Sequence, residues 1–129
     1  MNKVLIDSSV WISYFKAHKN SAVLNELIEN NAICINDLIL AELLPSILHK
    51  KEYELAELLN DITKYEITPD WDELQLFQLE NIKRGNNNVG IPDLIIVQNS
   101  IQNKLKLFSC DKHFNIMSKY LPLELYTVG

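Results

Sequence analysis

With 129 residues, 47% of them hydrophobic and 22% charged, the chain has the size and balance of one globular domain, expected to span 1–129. A core of that size needs no disulfide or structural metal to fold. The 12 Lys and Arg against 17 Asp and Glu leave a net charge of −5, which excludes nucleic-acid binding through a broadly basic surface.

Taken in chain order, Val4-Leu5-Ile6 is a short apolar run of the kind that forms a strand buried on both faces. Ser8 and Ser9 then open a helix carrying Val10, Trp11, Tyr14 and Phe15. A second helix starts near Asn20 and Ser21, with Val23, Leu24, Leu27 and Ile28 on one face. The run 32–35 predicts the next strand, and Asn36 with Asp37 caps a helix reaching about Lys50. From about Glu52, Leu55, Leu58, Leu59 and Ile62 fall at helical spacing. Tyr65-Glu66-Ile67 reads as a short strand, and Pro69 as the first position of a helix that turns Trp71, Leu74, Phe77 and Ile82 inward.

The stretch 85–90, with its asparagines, is a loop, and Pro92 with Asp93 opens another helix. The run 106–110 predicts a strand, Asp111 begins a helix, and 125–127 is a last strand. Strands alternating with helices predict an α/β fold, a three-layer α/β/α sandwich on a parallel sheet of about five strands. In such folds the functional crevice lies at the carboxyl ends of the strands.

Apolar runs such as Leu94-Ile95-Ile96-Val97 are too short for a bilayer, and Met1-Asn2-Lys3 leads straight into the first strand, so a cytoplasmic chain is expected. Cys34 and Cys110, both in apolar strand-like segments, read as reduced core residues without zinc spacing.

Four acids stand out. Asp7 and Asp111 each sit between a strand and a helix, where helix capping is the ordinary role. Asp93 lies in a first helical turn, where the helix dipole suffices to explain it. Glu42 is surrounded by apolar neighbours, Leu38 to Leu44, so it either reaches water at a helix edge or is buried and needs a cation or a proton. Pro45 leaves the Ala41 carbonyl without its helical donor and predicts a bend near this acid. Together the four fall where a parallel sheet gathers its post-strand positions. Carboxylates brought that close repel unless a cation sits between them, and hard oxygens select Mg²⁺ or Mn²⁺. Such an ion binds a phosphate and lowers the pKa of a bound water.

These residues resemble the motifs of the PIN-domain ribonucleases, especially the VapC-type toxins of bacterial toxin–antitoxin pairs, over the whole chain. The segment 4–12 is similar to the family's opening strand, first acid and small hydroxylated residues, Ala41-Glu42-Leu43 to its second acid, and Pro92-Asp93-Leu94-Ile95 to its third. The segment 107–114, containing Ser109, Asp111, His113 and Phe114, is similar to its final T-x-D-x-H-F motif. The resemblance implies a PIN-like fold and catalytic, metal-binding roles for Asp7, Glu42, Asp93 and Asp111, with Ser9 and Ser109 supporting them. It implies hydrolysis of RNA by metal-activated water, leaving 5′-phosphate and 3′-hydroxyl ends. It further implies a homodimer and a cognate antitoxin whose tail lies in the active-site groove. Two departures stand out: Ser109 replaces the usual Thr, and Leu94, Ile96 and Val97 are bulky where small residues are common.

Lys16, Lys19, Lys83 and Arg84 are candidate phosphate contacts, Lys16 and Arg84 above the others. His113, beside Phe114, reads as a packing or capping residue, and His18 and His49, beside lysines, as solvated. Trp11, Tyr14 and Phe15 read as a core stripe. A haloacid-dehalogenase-type phosphatase would want an Asp where Ser9 stands, and a receiver domain would want paired acids where Ser8 follows Asp7. A non-catalytic binding module on the same fold, and a PIN nuclease in RNA processing without a toxin role, are the alternatives. A neighbouring antitoxin gene separates the last from a toxin.

Overall fold

A computed structural model of the chain describes residues 3–16 and 21–128. The elements are β1 (Val4–Ile6), α1 (Ser8–Phe15), α2 (Ser21–Glu29), β2 (Ile33–Cys34), α3 (Asp37–His49), α4 (Tyr53–Asn60), α5 (Trp71–Lys83), α6 (Ile91–Gln102), β3 (Lys106–Phe108), α7 (Lys112–Met117) and β4 (Glu124–Leu125). The four strands form one parallel sheet in the order β2-β1-β3-β4. Val4 stands opposite both Ile33 and Lys106, and Ile6 opposite Phe108. Each successive residue of β1 is buried, so both faces of this central strand are covered, as the unbroken apolar run requires. The α/β architecture is the expected one.

The sheet has four strands rather than five. The segment expected as a fifth contributes one bridge, Ile35 to Lys64, made by Ile35 N–H to the Thr63 carbonyl and Tyr65 N–H to the Ile35 carbonyl, each 2.9 Å. Pairing ends there for two reasons. Asn36 leaves the strand to cap α3, accepting from Ile39 N–H at 2.9 Å. The Asn99 side chain takes the Glu66 carbonyl at 3.1 Å, so that acceptor is withdrawn from any ladder.

The start of α5 also differs. Asp70, not Pro69, marks the boundary, its carboxylate accepting from Glu73 N–H at 3.2 Å. Gln98 clasps the Asp70 backbone from both sides, accepting from its N–H at 3.0 Å and donating to its carbonyl at 3.1 Å. The inward row of α5 is Leu74, Phe77 and Asn81, while Trp71 and Ile82 are exposed. An asparagine at a core position explains the misreading: the apolar pattern alone moves the row round to Ile82. Pro45 lies inside α3, which continues past it to His49.

Among the described residues, no helix is long and apolar enough to cross a membrane. Cys34 is buried, and that burial pushes its thiol up to about 12. Cys110, expected in the core, is exposed, because β3 ends at Phe108 and the chain has already left the sheet.

Candidate active site

Asp7 ends β1, and its N–H donates to the Phe108 carbonyl at 2.9 Å, extending the β1–β3 ladder by one step. The ladder therefore sets Asp7 beside Ser109, 102 positions along the chain. The carboxylate makes no helix-capping bond, although it stands at the N-cap of α1. Instead its Oδ2 accepts from the Ser9 hydroxyl at 2.7 Å and the Ser109 hydroxyl at 2.9 Å. Both serines are fixed in turn: Ser9 Oγ accepts from Cys110 N–H at 3.0 Å, and Ser109 Oγ from Asp111 N–H at 2.9 Å. The carboxylate is 5% exposed, and these hydroxyls satisfy its buried oxygen.

Asp111 behaves as the capping reading expects, one oxygen accepting from His113 N–H at 2.9 Å at the start of α7. Asp93 lies in the first turn of α6 and accepts a hydrogen bond from the backbone of Gly90. Its pKa is raised, first by partial burial, then by the negative charges of Asp111 and Asp7, while His113 and the Gly90 bond pull it down.

Glu42 reaches water, so of its two readings the helix edge is the one observed. Its carboxyl nevertheless turns to the Ser8 side chain, which donates to it. Its pKa is raised by desolvation first, then by Asp7 and Asp93, with the Ser8 bond opposing. Each raised carboxyl thus feels others of the set, and four acids from β1, α3, α6 and the end of β3 share one edge of the sheet.

Their hard oxygens and mutual repulsion suit a divalent cation. Among the described residues, no three His, Cys, Asp or Glu side chains stand close enough to grip one ion together. Each carboxylate is drawn to its own donor: Asp7 to two serines, Glu42 to Ser8, Asp93 to Gly90 and Asp111 to the start of α7. The donor chemistry fits Mg²⁺ or Mn²⁺, and the spacing is wider than that of a closed metal cage.

Lys16 is exposed and lines a groove of about 350 Å³ with Glu42, Ile12, Phe15 and Lys50. Arg84 is engaged elsewhere, 3.6 Å from the Glu80 carboxylate and 4.9 Å from the centre of the Tyr120 ring. Lys83 is exposed, and Lys19 and His18 lie outside the described residues. His49 is exposed, as expected. Trp11 is buried, whereas Phe15 is 37% exposed, so the expected core stripe is only partly internal. Sequence reasoning missed Ser8 as the partner of Glu42; a hydroxyl directly after the first acid was the available signal. It also missed Asn86, a loop residue that is buried and bonded to the His113 ring at 3.0 Å.

Comparison with known proteins bears on the fold and the family. No curated protein sequence matches the chain. Solved structures share its fold at low identity. A chain in the crystal structure of VapBC2 from Rickettsia felis, bound to a DNA fragment from their promoter, is 15% identical with a TM-score of 0.69, and 98% of each chain is covered. A chain in the DNA-bound VapBC structure from Salmonella typhimurium is 12% identical with a TM-score of 0.71, again over 98% of each. A chain in VapBC-5 from Mycobacterium tuberculosis is 14% identical with a TM-score of 0.65, over 99% of this chain and 100% of that one. The PIN domain model matches residues 4–120, a span that takes in all four acids and both site serines, and the chain therefore belongs to the PIN-domain family, a family of nucleases.

Proposed function

We propose that the chain is an endoribonuclease, Mg²⁺-dependent and cytoplasmic, that serves as the toxin of a toxin–antitoxin pair. The observation that carries this reading is the gathering of Asp7, Glu42, Asp93 and Asp111 toward the carboxyl edge of the sheet, where Glu42 and Asp93 resist ionisation through burial first and the neighbouring acids second. Mg²⁺, or Mn²⁺ in its place, would be held among these carboxylates and would supply charge neutralisation for the scissile phosphate and a more acidic water. The chain's own part is orientation. Ser9 and Ser109 fix one oxygen of Asp7, and Ser8 holds Glu42 at the rim. Attack by water on phosphorus, with the 3′-oxygen leaving, gives 5′-phosphate and 3′-hydroxyl ends. The toxin role, the antitoxin partner and a homodimer rest on the sequence resemblance and on the fold shared with chains of VapBC structures.

The test is cleavage of mixed cellular RNA by the purified chain with Mg²⁺ and with EDTA, beside Asp7→Ala. The expected result is cutting by wild type with Mg²⁺ only, and a loss of about 10³-fold or more in Asp7→Ala, the scale of removing a metal-positioning group. Equal inertness of folded wild type and variant, free of any bound partner, overturns it. For the toxin role, induced wild type arrests bacterial growth and induced Asp7→Ala does not; growth unaffected by an active enzyme moves the assignment to RNA processing.

A further inference from the structure

Asn86 sits in the loop after α5, yet it is 6% exposed. Gly85 makes that possible. Its φ of +73° ends the helix in the left-handed region, and the next N–H, that of Asn86, turns back to the Asn81 carbonyl at 2.9 Å. The Asn86 side chain is thereby directed inward, toward Asn81, Tyr120 and His113.

The bonds among these groups have one sense. The Val89 carbonyl only accepts, so Gln78 presents its amide nitrogen there, at 2.7 Å. The Gln78 oxygen then faces Asn81, which donates to it at 3.0 Å. The Asn81 oxygen is left to accept, and the Tyr120 hydroxyl donates to it. With its proton so committed, the Tyr120 oxygen accepts from the Asn86 amide nitrogen at 3.2 Å. The Asn86 oxygen is what remains for His113, and Nδ1 stands 3.0 Å from it. A carbonyl oxygen cannot donate, so Nδ1 carries the proton.

We propose that Asn86 is a positioning residue of the acidic site: the one-way relay ending at the Val89 carbonyl holds the neutral His113 ring as the Nδ1–H tautomer, so that Nε2 keeps its lone pair as an acceptor on the residue whose backbone N–H binds Asp111. His113 is half-buried, and Nε2 has no hydrogen-bond partner among the described residues. His113 is tied to Asp111 through its backbone N–H, which donates to the Asp111 carboxylate at 2.9 Å. An unprotonated Nε2 accepts from an O–H donor, either water in the cleft or the 2′-hydroxyl of a ribose. An Nε2–H ring would instead donate, and the same water or hydroxyl would have to turn its oxygen to the ring.

The catalytic consequence rests on the nuclease reading; the tautomer does not, and the two are read separately. Two-bond ¹H–¹⁵N spectra of the full chain, followed over a pH series to the alkaline plateau, report the tautomer without turnover. His113→Gln assigns the signal among the three histidines. Wild type is expected to show the proton on Nδ1. Asn86→Asp, which keeps an acceptor, retains it, and Asn86→Ala moves it toward Nε2. An Nε2–H ring in wild type, or an unchanged Nδ1–H ring in Asn86→Ala, overturns the proposal, and the wild-type spectrum decides even where a variant does not fold. Where wild type cuts RNA, Asn86→Ala is expected to lower kcat about tenfold with KM little changed; an unchanged kcat removes the positioning role. Cutting of all-ribose RNA but equal binding of its 2′-deoxy analogue assigns the Nε2 partner to water, and weaker binding of the analogue assigns it to the 2′-hydroxyl. An inert wild type with Nδ1 protonated overturns the nuclease reading and leaves the tautomer standing.

Discussion

Asp93 and Glu42 both hold their protons more tightly than an ordinary carboxyl, through burial first and neighbouring acids second. A pKa raised in the folded state has a definite sign. Below the unfolded value, about 3.9 for Asp, the group is protonated in both states and costs nothing. As pH rises through the folded value, the native state must ionise a group it disfavours, and stability falls. Asp93→Asn is therefore expected to abolish cleavage and yet to melt a few degrees above wild type at pH 7. The gain should shrink toward zero as the pH is lowered to about 4, measured by thermal melts in matched buffers; a variant that melts lower at pH 7 contradicts the repulsion. A divalent ion acts on the same term from outside, because it binds the folded site and not the unfolded chain. Added Mg²⁺ should raise the melting temperature of wild type and leave that of Asp7→Ala nearly unmoved. Of these acids the sequence showed identity and order. Support from Ser9 and Ser109 was expected through the family resemblance; that Asp7 forgoes its cap for them depends on the β1–β3 ladder joining positions 102 apart.

At the scale of elements, a buried pair of asparagines holds α3, and with it Glu42, against α6. Asn36 is fully buried; its oxygen caps α3 and its nitrogen donates to the Asn99 oxygen at 2.9 Å. Asn36→Ala removes a cap, worth about 1 kcal/mol, and orphans a buried oxygen, worth about 1–3 kcal/mol more. A loss of about 3 kcal/mol in denaturant unfolding is expected, with Asn99→Ala less than additive to it because the two share one bond. Additive losses would show that the pair is not coupled. Such interior polar residues mark where sequence legibility stopped. Helix starts at Ser8, Asp37 and Ser21 followed from capping chemistry and apolar spacing, and the alternation of strands and helices gave the sheet its parallel sense. Asn81, Gln98, Asn99 and Ser100 are all buried, and each answers a backbone or side-chain partner that no local pattern reveals. The lost fifth strand, the displaced start of α5 and its rotated inner face all trace to three of these, Asn99, Gln98 and Asn81.

For the molecule as a whole, a net charge of −5 constrains how RNA is held. Affinity drawn from many phosphate contacts falls steeply with salt, by about 0.7 in log K per contact per log unit of salt for single strands. Among the described residues few cations stand near the acids, and Lys112 lines a groove with Asp111. Lys16 and Lys50 share the groove with Glu42, whereas Arg84 is occupied by Glu80 and Tyr120. Binding of a non-cleavable single-stranded RNA to the wild-type chain, which allows affinity to be read without cleavage, is therefore expected to show a shallow slope of about −1 to −2 at fixed Mg²⁺. Adding Lys16→Ala should weaken binding for all sequences alike and flatten the slope by about 1. Adding Arg84→Ala should leave the slope unchanged. A slope several units steeper would mean that phosphates are neutralised by cations outside this groove, and a slope that flattens with Arg84→Ala would move the RNA path toward the α5 end of the molecule. A shallow slope leaves most of the phosphate charge to be met by the divalent ion, so RNA affinity and Mg²⁺ affinity should rise together: each ligand lowers the repulsion that the other meets, and the coupling is reciprocal. Titrating Mg²⁺ with and without a non-cleavable RNA measures that coupling directly, and equal Mg²⁺ affinities in the two titrations would show that the ion and the RNA do not share the site.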